Sequence, residues 1–179
     1  MSKKLEELIL HIAEVCKDDP EFGATKLNKI LFISDFVAYS VYGKPITEVT
    51  YFHLQNGPAP KEMIGVQEEL IAKKEARIEE RQYFGRTQKR LKPLRGPDTS
   101  MFLEEELSLV KDVINSMKGV TGSQLSDWTH KLVPWILTEQ KEEIPYYTTY
   151  TMYDVPVRRD GIIWAQKELQ RLRESGHGS

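Results

Sequence analysis

The residues that could do chemistry are few: four histidines, a single cysteine (Cys16) and some polar groups set in apolar stretches. The histidines and the cysteine show neither a His-Glu-x-x-His pattern nor a cysteine pair, so their spacing offers no metal site. The sequence also has no phosphate-binding loop, no dinucleotide fingerprint and no Gly-x-Ser-x-Gly nucleophile elbow. We therefore predict no catalytic residue, no metal and no cofactor, and we do not expect an enzyme.

One polar stripe crosses a strongly apolar stretch. Residues 27–41 place apolar side chains on nearly every side of a helical wheel, which is typical of a helix buried at the centre of its domain. The polar exceptions share one side of that wheel: Asn28, Asp35, Tyr39 and Tyr42. They could form the wall of a functional pocket. Alternatively, they form a buried hydrogen-bond network, which burial of a carboxylate would demand.

A second candidate is a charged segment. Between residues 73 and 95, nine Lys and Arg accompany three Glu, a net +6 in a chain whose total is −2. The two arms flank Phe84-Gly85, which predicts a β-hairpin turn. This surface could be a solvated face, or it could contact an acidic protein partner or RNA. We disfavour RNA because only Tyr83 and Phe84 at the tip could stack on bases.

The predicted partner-binding residues come from this hairpin and from a tyrosine-rich segment at 141–158. The hairpin supplies Arg77, Arg81, Tyr83, Phe84 and Arg86, and the tyrosine-rich segment supplies Tyr147 and Tyr150. Trp128 and Trp135 are core residues by default, whereas an exposed tryptophan beside Pro134 would be a recognition anchor.

The helices and strands that should position these residues give a predicted fold that is mostly α and belongs to the α+β class. About six helices surround a buried central helix at 25–42, which Gly43 and Pro45 end. One strand is predicted near 48–55, and Asn56-Gly57-Pro58 breaks it before a third helix that starts near Pro60. We expect this strand and the hairpin at 75–95 to form one small antiparallel sheet. A last helix is predicted from Asp160.

The composition, 40% apolar and 29% charged, is that of an ordinary globular protein. We assign residues 1–174 to a single domain and 175–179 to a disordered tail. No apolar run approaches the ~20 residues of a membrane span, and a lone cysteine fits a reducing compartment. We therefore predict a cytoplasmic protein with no membrane partner, in which Cys16 is an inert packed thiol.

Several segments, taken together, resemble the signature of the Panacea domain, the SocA-like antitoxin family that is often labelled phage-associated protein. The segments are Lys26-Leu-Asn-Lys-Ile-Leu-Phe32 with Asp35-Phe36, Tyr42-Gly-Lys-Pro-Ile-Thr47, Gly57-Pro58, Leu125-Ser-Asp-Trp-Thr-His130 with Trp135, and Ile144-Pro-Tyr146. The resemblance covers about residues 5–172. The motif residues, which we interpret as structural, are Lys26, Leu27, Asn28, Leu31, Phe32, Asp35, Tyr39, Tyr42, Gly43, Pro45, Gly57, Pro58, His130 and Trp135.

The resemblance implies a helical domain with a small sheet that neutralises a toxin encoded beside it by direct binding. It brings no catalytic residues. Two alternatives stay open: an adaptor that delivers its partner to a protease, with a protease or chaperone as a further partner, and an RNA-binding module that uses the basic hairpin.

Overall fold

The computed structural model describes residues 2–83 and 85–152. Over these residues the fold is mixed α+β, with helices in about half of the positions. The elements in chain order are α1 (Lys3–Val15), α2 (Ala24–Tyr42), β1 (Tyr51–Leu54), β2 (Gly57–Pro60), α3 (Met63–Ala72), β3 (Ala76–Tyr83), β4 (Arg86–Pro93), a 3-10 helix (Thr99–Met101), α4 (Glu104–Ser116), α5 (Gly122–Thr129), α6 (Val133–Ile136) and a second 3-10 helix (Tyr146–Thr151).

The central helix is the one that the apolar pattern predicts. Helix α2 packs against α1, α4, α5, β2, β4 and the 3-10 helix at Tyr146–Thr151, and most of its side chains are buried. Gly43 ends it in the left-handed region with a φ of 72°, which glycine adopts without strain. The motif residues Leu27, Leu31 and Phe32 lie in the core. Among the described residues, no helix combines the length and the apolarity needed to cross a membrane.

The prediction of a single small sheet is wrong, because the described strands form two separate antiparallel pairs. Strand β1 turns at Gln55-Asn56 and pairs with β2, so that Leu54 lies opposite Gly57. The segment expected to break the strand is therefore the turn and second strand of a hairpin. Two prolines are tolerated in β2 because no described strand pairs with its other edge and would need their missing N–H groups. Helix α3 consequently starts at Met63, later than expected.

The hairpin predicted at 75–95 is present as β3 and β4, with Tyr83 opposite Arg86. One of its faces runs along the segment that joins α1 to α2. Arg90, 5% exposed, donates to the carbonyl oxygens of Cys16, Lys17 and Asp19, where the C-terminus of α1 favours a cation. Gln88 donates to the carbonyl of Pro20 (3.2 Å). These bonds hold the hairpin against the helical body.

Two isoleucines of α3 are more exposed than their spacing predicts. Apolar spacing at residues 63–71 places Ile64 and Ile71 on the inward face of the helix, yet their exposed fractions are 71% and 41%. Met63, Val66 and Leu70 provide the buried contacts of α3 instead. The predicted last helix from Asp160, the tail at 175–179 and Phe84 lie outside the described residues.

Candidate functional site

Asp35 lies at the centre of a buried hydrogen-bond network. Its carboxylate accepts from the backbone N–H of Thr47 (2.8 Å), from the Thr47 hydroxyl and from the Tyr51 hydroxyl (2.8 Å). Asp35 and Tyr51 are both 0% exposed. Burial raises the pKa of Asp35, although hydrogen bonds from the Thr47 hydroxyl, the Thr47 backbone, the Tyr51 hydroxyl and the Ile46 backbone oppose that shift. The network joins α2 to the segment that follows it and to β1.

The rest of the polar stripe does not share this network. Tyr39 stacks on Tyr146 with ring centroids 5.6 Å apart, and the amide oxygen Oδ1 of Asn28 has no hydrogen-bond partner among the described residues. Tyr42 is 48% exposed. The contact from α2 to the turn before Gly57-Pro58 comes from Lys29 and not from the stripe.

Trp135 lies between two histidine rings. Its ring centroid is 3.3 Å from that of His53 and 4.3 Å from that of His130, with interplanar angles of 27° and 22°. The Nε2 atom of His130 is buried and has no hydrogen-bond partner among the described residues. Burial, with a smaller contribution from the charge of Lys29, lowers the pKa of His130. The stack connects α5 and α6 to β1.

Two buried lysines, three residues apart on α2, differ in their partners. Lys26 and Lys29 are each 1% exposed. Lys26 forms an ion pair with Asp19 (2.8 Å) and donates to the carbonyl oxygen of Val120 (3.0 Å). Lys29 donates to the carbonyl oxygen of Asn56, forms no ion pair with a described carboxylate, and has its pKa lowered to about 7 by burial.

Lys26 is one of the predicted motif residues, but the burial of both ammonium groups was not predicted. Their burial could have been inferred from the sequence, because a helix that is apolar nearly all round has no solvent-facing side for a lysine.

A cleft of about 980 Å³ opens beside Lys26 and beside Asn56, whose carbonyl oxygen accepts from Lys29. Its walls are the tip of the β3–β4 hairpin and the first turns of α2 and α5, and Asn56 and His130 also line it. We call it the hairpin–α5 cleft. Four of the predicted residues line it: Lys26, Tyr83, Arg86 and His130. The fold therefore brings part of the family motif and part of the basic hairpin into one concave surface.

Two glycines allow the walls of the hairpin–α5 cleft to approach each other. A Cβ atom on Gly23 would lie 2.8 Å from Cγ of Gln88 in β4. A Cβ atom on Gly122 would lie 3.2 Å from Cβ of Thr25, so the N-termini of α2 and α5 are in direct contact.

The other predicted partner-binding residues lie elsewhere. Arg77 forms an ion pair with Glu79, and Arg81 is exposed on the hairpin but does not line the cleft. Tyr147 and Tyr150 are 65% and 57% exposed, and Tyr150 contacts Tyr39 near the far end of α2. At ~1.5 Å per residue, Tyr39 lies about 22 Å along the helix from Ala24 at the cleft. The two predicted sets therefore do not form one surface.

The hairpin is less positive than its sequence indicates. Arg90 is buried, Lys73 pairs with Glu69, and Arg95 pairs with Glu7 (2.7 Å) and Glu75 (3.0 Å). Ion pairs also occupy Arg77, Lys89 and Lys92. Of the nine cations counted at 73–95, the described contacts leave four without an ion pair: Arg90, which donates to backbone carbonyls instead, and Lys74, Arg81 and Arg86.

Two observations bear on other chemistry. Burial raises the pKa of Cys16 to about 11, so the thiolate nucleophile is not formed near neutral pH. Within residues 2–83 and 85–152, no three His, Cys, Asp or Glu side chains are grouped so that they could hold a metal ion.

The described residues form a mixed α+β domain, and comparison with known families assigns the domain to one of them. The family model described as "Antitoxin SocA-like, Panacea domain" matches residues 27–136, from the first turn of α2 to the end of α6 and thus more than half of the chain. The chain therefore belongs to the SocA-like Panacea-domain family, which indicates an antitoxin-type role. No curated protein and no solved structure is a significant match.

Proposed function

We propose that this protein is an antitoxin that neutralises a cognate protein toxin, encoded by an adjacent gene, through direct stoichiometric binding. The family match over residues 27–136 is the observation that carries this proposal. On this account the chain acts in the cytoplasm as a binding protein and not as an enzyme.

The division of the motif residues between core and cleft supports a binding role. Leu27, Leu31 and Phe32 are core residues, and Asp35 fixes α2 to the chain that follows it. Lys26 and His130 line the hairpin–α5 cleft together with residues of the hairpin. We infer that the motif builds a rigid scaffold and that the hairpin supplies the side chains that select the partner.

The alternative of RNA binding through the hairpin loses support from the contacts. Most of its cations already have partners, and the Tyr83 hydroxyl donates to Glu21. An RNA site of this kind would need free cations beside exposed aromatic platforms.

Co-expression with the product of the adjacent gene tests the proposal. We expect that product to arrest growth when it is expressed alone, and we expect this protein to restore growth and to co-purify with it. Asp35→Ala provides a destabilised control, which separates a loss of stability from a loss of binding. If the neighbour is harmless alone, or if growth is not restored, the antitoxin proposal is wrong. A protease adaptor would instead shorten the half-life of the toxin, and its rescue would disappear in a protease-deficient host.

A further inference from the structure

We propose that the hairpin–α5 cleft recognises a carboxylate-bearing segment of the toxin, such as an exposed loop with an Asp or Glu. This inference rests on the proposed function and adds to it the surface and the chemistry of recognition. Four features of the described residues carry it: an unneutralised buried cation, an unpartnered histidine nitrogen, two helix N-termini in contact and an unpaired arginine.

The first feature is the charge beneath the cleft. Lys29 is 1% exposed, and the carbonyl oxygen of Asn56, a cleft residue, is the acceptor of its ammonium group. A buried ammonium without a carboxylate is unfavourable. Lys26, which lies one turn earlier on α2, is neutralised by its ion pair with Asp19. Lys29 does not itself line the cleft, so an anion bound beside Asn56 would offset its charge across the Asn56 carbonyl and not through a direct ion pair like that of Lys26 with Asp19.

The second feature is a polar atom that lacks a partner. His130 lines the cleft, and its buried Nε2 has no hydrogen-bond partner among the described residues. Ser126, which also lines the cleft, donates to the same carbonyl of Asn56 (2.7 Å) that accepts from Lys29. Two donors therefore occupy that carbonyl oxygen. His130 Nε2 can donate to an incoming carboxylate when it carries the ring proton, and the amide oxygen of Gln88, which also lines the cleft and has no partner among the described residues, can accept from a backbone N–H of the same segment.

The third feature is the pair of helix N-termini. The N-cap of α2 is Gly23, which has no side chain to accept from the first backbone N–H groups. In α5 the side chain of Thr121 accepts from Gln124 N–H (3.2 Å), and the first turn presents Gly122 and Ser123 to the cleft. The two helix ends touch at Thr25 and Gly122, so their partial positive charges act on one region.

The fourth feature is Arg86 at the mouth of the cleft. Arg86 is exposed and forms no ion pair with a described residue, so its guanidinium can form a bidentate pair with an incoming carboxylate. Glu21 and Asp127 also line the cleft. Glu21 is engaged by the Tyr83 hydroxyl. These two carboxylates oppose a polyanion such as RNA, whereas they tolerate a single carboxylate placed between Arg86 and the helix N-termini.

The test measures the affinity and association rate of the purified toxin for four variants. Arg86→Glu reverses the charge in the cleft, and Arg81→Glu makes the same change on the same hairpin outside it. We expect Arg86→Glu to weaken binding at least about tenfold, and Arg81→Glu to change it by less than about threefold. Lys29→Met removes the buried cation, and Ser123→Trp narrows the cleft at an exposed position. Both variants should bind more weakly, and thermal unfolding checks that both remain folded.

The outcomes separate this inference from the proposed function. If the wild type neutralises the toxin and all four variants bind it equally well, the antitoxin role stands and the cleft inference is wrong. If Arg86→Glu and Arg81→Glu weaken binding equally, the hairpin attracts the toxin through long-range electrostatics and not through a contact in the cleft. That result also overturns the inference. Tight binding of an unstructured RNA oligonucleotide that Arg86→Glu abolishes would assign the cleft to nucleic acid instead.

A charge exchange provides the most specific support. Acidic residues on the surface of the toxin are replaced one at a time by lysine, and each variant is paired with Arg86→Glu. We expect one lysine variant to bind wild type poorly and to recover at least about tenfold in affinity with Arg86→Glu, which is the coupling of a direct charge pair. If no lysine variant recovers affinity, Arg86 does not contact a carboxylate.

Discussion

Replacing Lys29 with methionine should stabilise the folded protein near pH 6, although it removes a buried hydrogen bond. The pKa of Lys29 is lowered from 10.5 to about 7 because burial penalises the charged amine. At ~1.4 kcal/mol per pKa unit, a charged Lys29 destabilises the fold by about 5 kcal/mol below pH 7. Methionine avoids this penalty, and Ser126 still donates to the carbonyl of Asn56.

The pH dependence of the unfolding free energy shows whether the charge of Lys29 causes the destabilisation. The unfolded chain keeps the Lys29 proton up to a pH near its ordinary pKa of 10.5, whereas the folded chain releases it near pH 7. The unfolded state therefore binds more protons within this window, so the wild type gains up to about 1.4 kcal/mol of unfolding free energy per pH unit. We expect the advantage of Lys29→Met to be largest at pH 6 and to shrink steadily toward pH 9.5.

Lys26→Met is the matched control, because Lys26 has the same burial on the same helix. Here methionine leaves the Asp19 carboxylate and the Val120 carbonyl without the ammonium that they contact. We expect the free energy of unfolding to fall by about 3 kcal/mol, because the Asp19 carboxylate would stay desolvated without the ammonium group that compensates its charge. Urea unfolding at pH 6, 7.5 and 9 measures both variants. If both lose stability equally, with no pH dependence, Lys29 is not an uncompensated cation.

Three further predictions follow from other contacts. Asp35→Ala should lower the free energy of unfolding by about 3 kcal/mol, because it leaves buried donors unpaired, and Thr47→Val, which keeps its backbone N–H, by about 1 kcal/mol. Glu7→Gln should destabilise at pH 7 and much less near pH 2, because Arg95 holds the pKa of Glu7 at about 2 and its contribution is lost as the pH falls from 4.5 to 2. Tyr147→Glu, at a 65% exposed position, should leave the melting temperature unchanged; if it abolishes neutralisation, the tyrosine segment belongs to the interface.

The sequence was sufficient for the elements that carry a local signal. Helix α2 follows from its apolar stretch and from Gly43, and the β3–β4 hairpin follows from the two charged arms around Gly85. The β1–β2 pair was missed because Pro58 and Pro60 indicate a break unless the strand is known to be an edge. Edge position is a property of the tertiary structure.

The candidate site was predictable only in part, for a similar reason. Lys26, Tyr83, Arg86 and His130 were identified from the sequence, but four separate segments must fold together before they line one cleft. The contributions of the Asn56 carbonyl and of the first turn of α5 to the cleft were missed, because the role of a backbone group cannot be inferred from residue type. The burial of Lys29 could have been inferred from the all-round apolar character of its helix.

Stoichiometric neutralisation of the toxin is tested most directly by a titration. The activity of the purified toxin is measured while this protein is added in known molar amounts. We predict that activity falls linearly and reaches zero at a fixed molar ratio, because each toxin molecule is held by the antitoxin that binds it. Complete inactivation by a small fraction of an equivalent would show that the protein acts catalytically. Unchanged toxin activity at molar excess would contradict direct neutralisation altogether.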